Sequence, residues 1–193
     1  EIHAARTKFG LETGSRTIFG LNPGAEYGPA KRWPAERFIA AANLIQQRTN
    51  CLWLILGGRG DIELAAGIAA GITDQASRLT SALNLAGQTS LRELMAVLSQ
   101  CQALLTNDTG PMHVAAALGV PVVVPFGSTS PELTGPGLPG DPRHRCLRSD
   151  APCAPCFLRT CPIDLRCLNG ISVERVAQAV LEVCGERDRS TGH

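Results

Sequence analysis

The residues Asp108, Thr109 and Gly110 follow an apolar, β-rich run and precede Pro111, Met112 and His113, an order expected where a strand hands over to a helix. Asp or Thr there caps the helix, Pro111 suits its first turn, and Gly110 lets a ligand approach the backbone. The positive end of such a helix attracts anions, so the hydroxyl and N–H groups at Thr109 suit a diphosphate. Two plainer readings stand beside this one: Asp108 only caps the helix, and His113 makes a hydrogen bond in the core. A second segment, residues 22–34, is rich in glycine and carries Lys31 and Arg32 ahead of a helix start. Free backbone N–H groups and the Lys31 ammonium would hold phosphate there, unless the segment is a solvated loop with surface basic residues. A third, Phe126-Gly127-Ser128-Thr129-Ser130-Pro131, brings hydroxyls to another strand end. The chain has no Gly-x-x-x-x-Gly-Lys-Ser/Thr run and no Gly-x-Gly-x-x-Gly opening a helix, which supports neither a nucleotide hydrolase nor a nicotinamide enzyme.

Cys153, Cys156, Cys161 and Cys167 form a Cys-x2-Cys-x4-Cys-x5-Cys pattern in a proline-rich stretch. Four thiolates so close in sequence can make a tetrahedral zinc site, with an iron–sulfur cluster as an alternative and simple packing of four thiols as the plain reading. A reducing compartment disfavours structural disulfides. Cys51, Cys101 and Cys184 fall in or beside predicted core elements and read as small buried apolar residues.

These groups need elements to position them. Apolar β-rich runs at 17–21, 51–56, 82–85, 103–106 and 120–126 alternate with segments of helical period. Phe38, Ala41, Ala42 and Ile45 share one helix face behind Pro34, and a second helix is predicted over 61–70. Leu91, Leu94, Met95 and Leu98 share another face, with Ser90 and Glu93 spaced as a capping box. A short helix over 112–118 ends at Gly119, and Val173, Val176, Ala177 and Val180 mark a last helix closing near Gly185. Between Phe126 and Ile171 the periodicity vanishes, across seven of the 13 prolines and five of the eight cysteines. Strand and helix in alternation predict a doubly wound, Rossmann-like α/β domain with a parallel sheet, whose ligands sit beyond the carboxyl ends of the strands. The predicted organisation is a leading segment or linker (1–16), one nucleotide-binding domain (17–185) including a Cys-rich loop (146–168), and a disordered tail (186–193).

A chain of 193 residues and 20.4 kDa suits one sizeable core. Eighteen basic against 17 acidic residues leave a net charge of +1, which gives no hint of nucleic acid or a membrane surface, so any anion site must be local. No apolar run reaches the roughly 18 residues of a spanning helix, and the first residues form no apolar signal region, which fits a cytosolic protein. The first residue is not Met, so the chain reads as part of something longer.

Three stretches carry a resemblance: Pro23-Gly24-Ala25-Glu26-Tyr27-Gly28-Pro29-Ala30-Lys31-Arg32-Trp33-Pro34, then Asn107-Asp108-Thr109-Gly110-Pro111-Met112-His113-Val114-Ala115-Ala116-Ala117-Leu118-Gly119-Val120-Pro121, then Phe126 to Pro131. In this order they resemble glycosyltransferase family 9, over roughly residues 17–183, and the cysteine segment followed by Ile171 and a helix is similar too. The resemblance implies the donor-binding half of a GT-B architecture, in which the amino-terminal domain holds the acceptor. It implies inverting transfer of heptose from ADP-heptose to a sugar hydroxyl of lipopolysaccharide core, with no metal required at the sugar nucleotide. By motif position Gly24, Ala25, Glu26 and Lys31 would form the phosphate loop, and Thr109 and Gly110 would bind the diphosphate at the helix end. Asp108 would hold heptose hydroxyls, and His113 would lie beside phosphate or sugar. Thr89 and Leu91 would edge the adenine, and Asp61 is the nearest candidate for the ribose. Lys31 and Asp108 are the catalytic candidates, Lys31 against charge building on the leaving ADP. The general base would come from the amino-terminal domain, so this chain alone should transfer no sugar. A cytoplasmic protein, with peripheral association at the inner face of the inner membrane, is the implied location. The competing readings are a family 9 transferase using another sugar nucleotide and a non-catalytic module that binds nucleotide or metal.

Overall fold

A computed structural model describes residues 1–11, 14, 16–72 and 80–191, with side chains treated through Gly185. Six strands form one sheet: β1 (Ile18–Asn22), β2 (Leu52–Ile55), β3 (Ala82–Asn84), β4 (Ala103–Thr106), β5 (Val122–Pro125) and β6 (Arg145–Leu147). Their order is β3-β2-β1-β4-β5-β6 and every pairing is parallel. This is the doubly wound arrangement predicted, with the reversal of strand order between β1 and β4. β1, β2, β4 and β5 are buried along their whole length, which is why they read as unbroken apolar runs. The strand missed by periodicity is β6, three residues long with Arg145 and Cys146 half-buried.

Helices cover both faces. On one, α2 (Ala35–Thr49), α3 (Ile62–Gly71) and α8 (Val173–Thr191) pack on Phe19, Leu21, Trp53, Ile55, Leu105 and Val123. On the other, α1 (Ile2–Phe9), α4 (Leu91–Leu98) and α5 (Gly110–Ala117) pack on Ile18, Leu52, Leu54, Leu104, Val122 and Val124. Alternate residues of each strand feed opposite cores, as a pleated strand requires. Two short helices, α6 (Pro131–Thr134) and α7 (Arg166–Asn169), punctuate the stretch without periodicity.

Two boundaries differ from expectation. The leading segment holds a helix: α1 ends at Gly10 in a left-handed turn (φ 64°), and Ala5 and Leu11 bury in the second core beside Ala96, Val97 and Leu98. Residues 12, 13 and 15 of that segment lie outside the described residues. At the other end, α8 continues through Gly185 to Thr191, where a disordered tail was expected. A helical glycine costs only about 1 kcal/mol against alanine, and the residues after it include no proline to stop the helix. Residues 192 and 193 lie outside the described residues. No described helix is long and apolar enough to cross a membrane.

Candidate functional site

The register aligns Leu21 with Leu105 and Asn22 with Thr106, so the loops after β1 and β4 leave the sheet side by side, with the loop after β5 next in order. All three meet at Asp108. Its Oδ2 accepts from Lys31 Nζ at 2.7 Å, from Thr129 Oγ1 at 2.6 Å and from Thr134 Oγ1 at 2.9 Å. Asp108 is 5% exposed, yet its Oδ1 accepts no hydrogen bond among the described residues. The carboxylate is therefore held by one oxygen and offers the other.

This geometry overturns the reading of Asp108 as a helix cap. The N-cap of α5 is Thr109, whose side chain makes no capping bond, while Asp108 turns to the ammonium and two hydroxyls. A buried carboxylate gains more from a cation and two donors than from a helix end. The Thr109 hydroxyl and the N–H of the exposed Gly110 thus have no internal partner among the described residues. Exposed His113, one turn into α5, is not the core hydrogen-bonding residue of the plain reading.

The loop after β1 is more tightly folded than free N–H groups throughout would imply. The amides of Lys31 and Arg32 close the 3-10 turn Pro29–Lys31, Ala30 N–H donates to Arg159 O at 3.1 Å, and Trp33 N–H donates to Asn107 Oδ1 at 2.9 Å. The backbone N–H groups of residues 24–28 have no partner among the described residues. Asn107, wholly buried, also donates from Nδ2 to Pro23 O at 2.7 Å and so clamps the loop after β1 to the loop after β4. Trp33 is buried edge-on against Phe38, ring centroids 5.1 Å apart, which seats the end of the loop on α2. Ala25 is buried, its carbonyl accepts from Arg32, and Glu26 is exposed.

Asp61 joins this loop. Its Oδ2 accepts from Gly58 N–H at 3.0 Å, and its carboxylate lies so near Gly24 that a Cβ there would overlap it. Farther along the sheet, Ser90 and Glu93 form the expected capping box of α4, Thr89 is half-buried, and Leu91 is 65% exposed. Exposed Ile62 reaches over Gly87, so an apolar edge borders the loops after β2 and β3.

Beyond α6, a cavity of about 540 Å³ is lined in part by Pro131, Glu132, Asp141, His144 and Cys146. His144 Nδ1 accepts from Val122 N–H at 3.2 Å, and burial lowers the imidazole pKa against a smaller opposing effect of Asp141. Burial pushes the Cys146 thiol up to about 11.

None of the eight cysteines, all of them among the described residues, is in a disulfide. Cys51 and Cys101 are buried as expected, and burial raises Cys51 to about 11. Cys184 is half-buried against the first core. Cys153, Cys156, Cys161 and Cys167 lie near enough that the first three raise the pKa of Cys167, after burial as the larger cause. Backbone N–H groups of Ile163 and Leu165 lower that of Cys161. Among the described residues, however, no group of three or more His, Cys, Asp or Glu is disposed to hold a metal ion. Cys167 is buried in the core with α7, while Cys153, Cys156 and Cys161 are half-buried. What the segment does is strap the site. Phe157 N–H donates to Ser128 O at 2.6 Å, Tyr27 Oη to Phe157 O at 2.8 Å, and Arg159 Nε to Tyr27 O at 2.8 Å.

Asn107, Tyr27 and Thr129 stand inside the three motifs, where residue type alone does not single them out, and Thr134 and Arg159 stand outside them. Thr134 and Arg159 lie in stretches without periodicity, and only the folded chain brings them to Asp108 and Tyr27.

The chain is 37% identical over 141 residues to lipooligosaccharide heptosyltransferase 2 of Haemophilus ducreyi, covering 70% of this chain and 40% of that protein. It is 39% identical over 123 residues to lipopolysaccharide heptosyltransferase 2 of Salmonella typhimurium, covering 63% and 34%. The solved structure of E. coli ADP-heptose lps heptosyltransferase II superposes with a TM-score of 0.80 at 29% identity, over 97% of this chain and 52% of that one. This chain thus spans about half or less of the length of these relatives. Residues 1–166 match glycosyltransferase family 9 (heptosyltransferase), and the chain belongs to that family.

Proposed function

We propose that this chain is the donor half of an inverting heptosyltransferase of lipopolysaccharide core synthesis and that its ligand is ADP-heptose. The observation carrying this reading is the Lys31–Asp108 contact at 2.7 Å, made where three loops meet at the carboxyl ends of β1, β4 and β5. In this reading the diphosphate lies over the N–H groups of residues 24–28 and the amino end of α5, near Thr109 and Gly110, with His113 beside it. Lys31 shifts from Asp108 alone to a position shared with phosphate. Asp108 Oδ1 accepts a heptose hydroxyl, while Thr129 and Thr134 keep Oδ2. Asp61 takes the ribose, and Thr89, Leu91 and Ile62 border the adenine.

The chemistry follows from charge. As an acceptor hydroxyl attacks the anomeric carbon with inversion, the bond to the β-phosphate oxygen breaks and negative charge collects on ADP. Lys31 and the helix end stabilise that charge, which is greater in the transition state than in the bound donor. Asp108 is committed to the donor and Glu26 stands in the phosphate loop, so the general base and the acceptor surface are assigned to an amino-terminal domain.

Calorimetric titration with ADP, UDP and GDP tests the reading, with ADP expected to bind and the others much more weakly. Tighter binding of UDP or GDP than of ADP would favour a different sugar nucleotide, and no binding would sink the donor-half reading. Transfer to a core acceptor is expected only when an amino-terminal acceptor domain is fused or supplied. A cytoplasmic location with peripheral contact to the inner membrane belongs to the same proposal.

Zinc at Cys153, Cys156, Cys161 and Cys167 is a separate proposal, supported by their spacing and mutual proximity. A closed four-thiolate site needs side-chain movement and implies about one zinc per chain by metal analysis. Four freely titrating thiols and no metal would exclude it.

A further inference from the structure

If the chain binds a diphosphate as proposed above, Lys31 cannot neutralise it alone. Its positive charge already meets Asp108 at 2.7 Å, while a diphosphate brings more than one negative charge. The neighbouring Arg32 directs Nε and a terminal nitrogen to the Ala25 carbonyl, at 3.3 and 3.2 Å.

A second cation comes from elsewhere in the chain. Arg159 belongs to the cysteine-rich segment, 128 positions from Lys31 in sequence by their numbers. Its guanidinium carbon lies 5.3 Å from the centroid of the Tyr27 ring, and Lys31 Nζ lies 4.8 Å from the same centroid. The two cations share one ring and are no farther apart than the sum of those distances. Attraction to the ring face helps hold both.

The backbone around Arg159 is fixed on both sides. Its carbonyl accepts from Ala30 N–H at 3.1 Å and sits where a side chain at position 28 would collide with it, which makes Gly28 a condition of the contact. Phe157 is bonded to the loops after β1 and β5 through Tyr27 Oη and Ser128 O. The Arg159 side chain is itself exposed, and of its guanidinium only Nε is engaged, with Tyr27 O at 2.8 Å. The two terminal nitrogens have no hydrogen-bond or ion-pair partner among the described residues. A guanidinium anchored by Nε with its terminal N–H groups open presents the geometry that binds phosphate oxygens.

We propose that Arg159 is the second cation of the diphosphate site, delivered by the cysteine-rich segment and sharing the phosphates with Lys31. The segment then has a function that does not depend on metal: it closes one side of the nucleotide site and supplies charge to it. The loops after β1 and β5 set where Arg159 stands, and Tyr27 is a positioning residue for both cations.

The test is calorimetric titration of the 193-residue chain with ADP, AMP and adenosine, comparing wild type with Arg159→Ala, Arg159→Lys and Arg159→Gln. The expected losses for Arg159→Ala rank ADP above AMP above adenosine, with ADP weakened about tenfold or more. Raising the salt concentration should weaken ADP more in wild type than in Arg159→Ala. Arg159→Lys should recover part of the ADP affinity, because it keeps the charge without the planar fork. Arg159→Gln, which keeps a donor for Tyr27 O but not the charge, should behave as Arg159→Ala and covers the case in which alanine loosens the strap. Equal losses for all three ligands would mean that Arg159 only supports the fold, and unchanged ADP affinity would mean that it does not reach the phosphates; either overturns the proposal. Failure of wild type to bind ADP would instead refute the nucleotide reading on which it rests.

Discussion

Two ion pairs of nearly equal length do different work in this molecule. Lys31–Asp108 spans 2.7 Å with side chains 10% and 5% exposed, and Lys8–Glu93 spans 2.6 Å with side chains 50% and 31% exposed. The first lies where three loops leave the sheet, and Thr129 and Thr134 support its carboxylate. The second joins α1 to α4 at the surface, where water does much of what the partner does. Distance alone ranks them as equals. Burial decides that breaking the first strands a charge and breaking the second returns both groups to solvent.

The largest effect should therefore come from Lys31→Met. It leaves the Asp108 carboxylate buried without its cation, a change that costs roughly 3–5 kcal/mol for a buried pair and falls toward the lower figure here because two hydroxyls remain. Urea unfolding should show a clear loss for Lys31→Met and a far smaller one for Lys8→Met. Equal midpoints would break the contrast and would mean that Asp108 is better hydrated than its 5% exposure implies. On the ligand side, Lys31→Ala should weaken ADP by roughly 1.5–3 kcal/mol more than adenosine, because only ADP carries the diphosphate.

Asn107→Ala should follow. It strips the partners from Trp33 N–H and Pro23 O at once, and an unpaired buried group costs roughly 1–3 kcal/mol. If stability falls and ADP affinity falls with it, the clamp between the loops after β1 and β4 is what shapes the loop after β1 for its ligand. A loss of stability with full ADP affinity would show that the loop holds its shape without the clamp.

Thr134→Val is smaller again, at roughly 1–2 kcal/mol, since Asp108 Oδ2 retains Lys31 and Thr129. Its sharper readout is the ratio of ADP-heptose to ADP affinity, which should fall as Asp108 Oδ1 loses its fixed direction. Thr134→Ser should restore the ratio, and a ratio insensitive to both would sever Thr134 from sugar recognition.

How much of this was legible beforehand follows the physics of each segment. The parallel sheet and the rim could be read because β1, β2, β4 and β5 are buried on both faces and leave continuous apolar runs, and the start of α4 because its cap is a local pattern of Ser90 and Glu93. Lys31, Asp108 and Thr109 stood out because loops after parallel strands share a rim. The partner of Asp108 was not legible, since the choice between capping α5 and pairing with Lys31 is made by burial, which no local pattern carries. Thr134 and Arg159 were hidden for a related reason. They lie between Phe126 and Ile171, where α6, β6 and α7 are each three or four residues long, too short to show a period. Hydrogen bonds between distant loops, rather than an apolar stripe, place that stretch.

The smallest effect belongs to the exposed pair and is best seen through pH. Glu93 closes the capping box by accepting from Ser90 N–H and Ser90 Oγ, both at 2.8 Å, and accepts from Lys8 Nζ at 2.6 Å. The Lys8 hydrogen bond first, and the Ser90 bonds after it, lower its pKa from 4.5 to about 2. A carboxylate depressed in the folded state contributes stability that is fully present above 4.5 and drains away as pH falls toward about 2, because the unfolded chain takes up the proton first. Glu93→Gln keeps an acceptor for Ser90 but has no charge to titrate. Thermal melts of wild type and Glu93→Gln should therefore differ most near neutral pH and converge between pH 4.5 and about 2, while the other depressed carboxylates, Asp141, Asp164 and Glu132, slope alike in both. Added salt should shrink the difference, since both side chains reach water. A difference that stayed constant through that window would assign the contribution of Glu93 to the geometry of the cap rather than to its charge, and the surface pair would then do nothing that a neutral side chain could not.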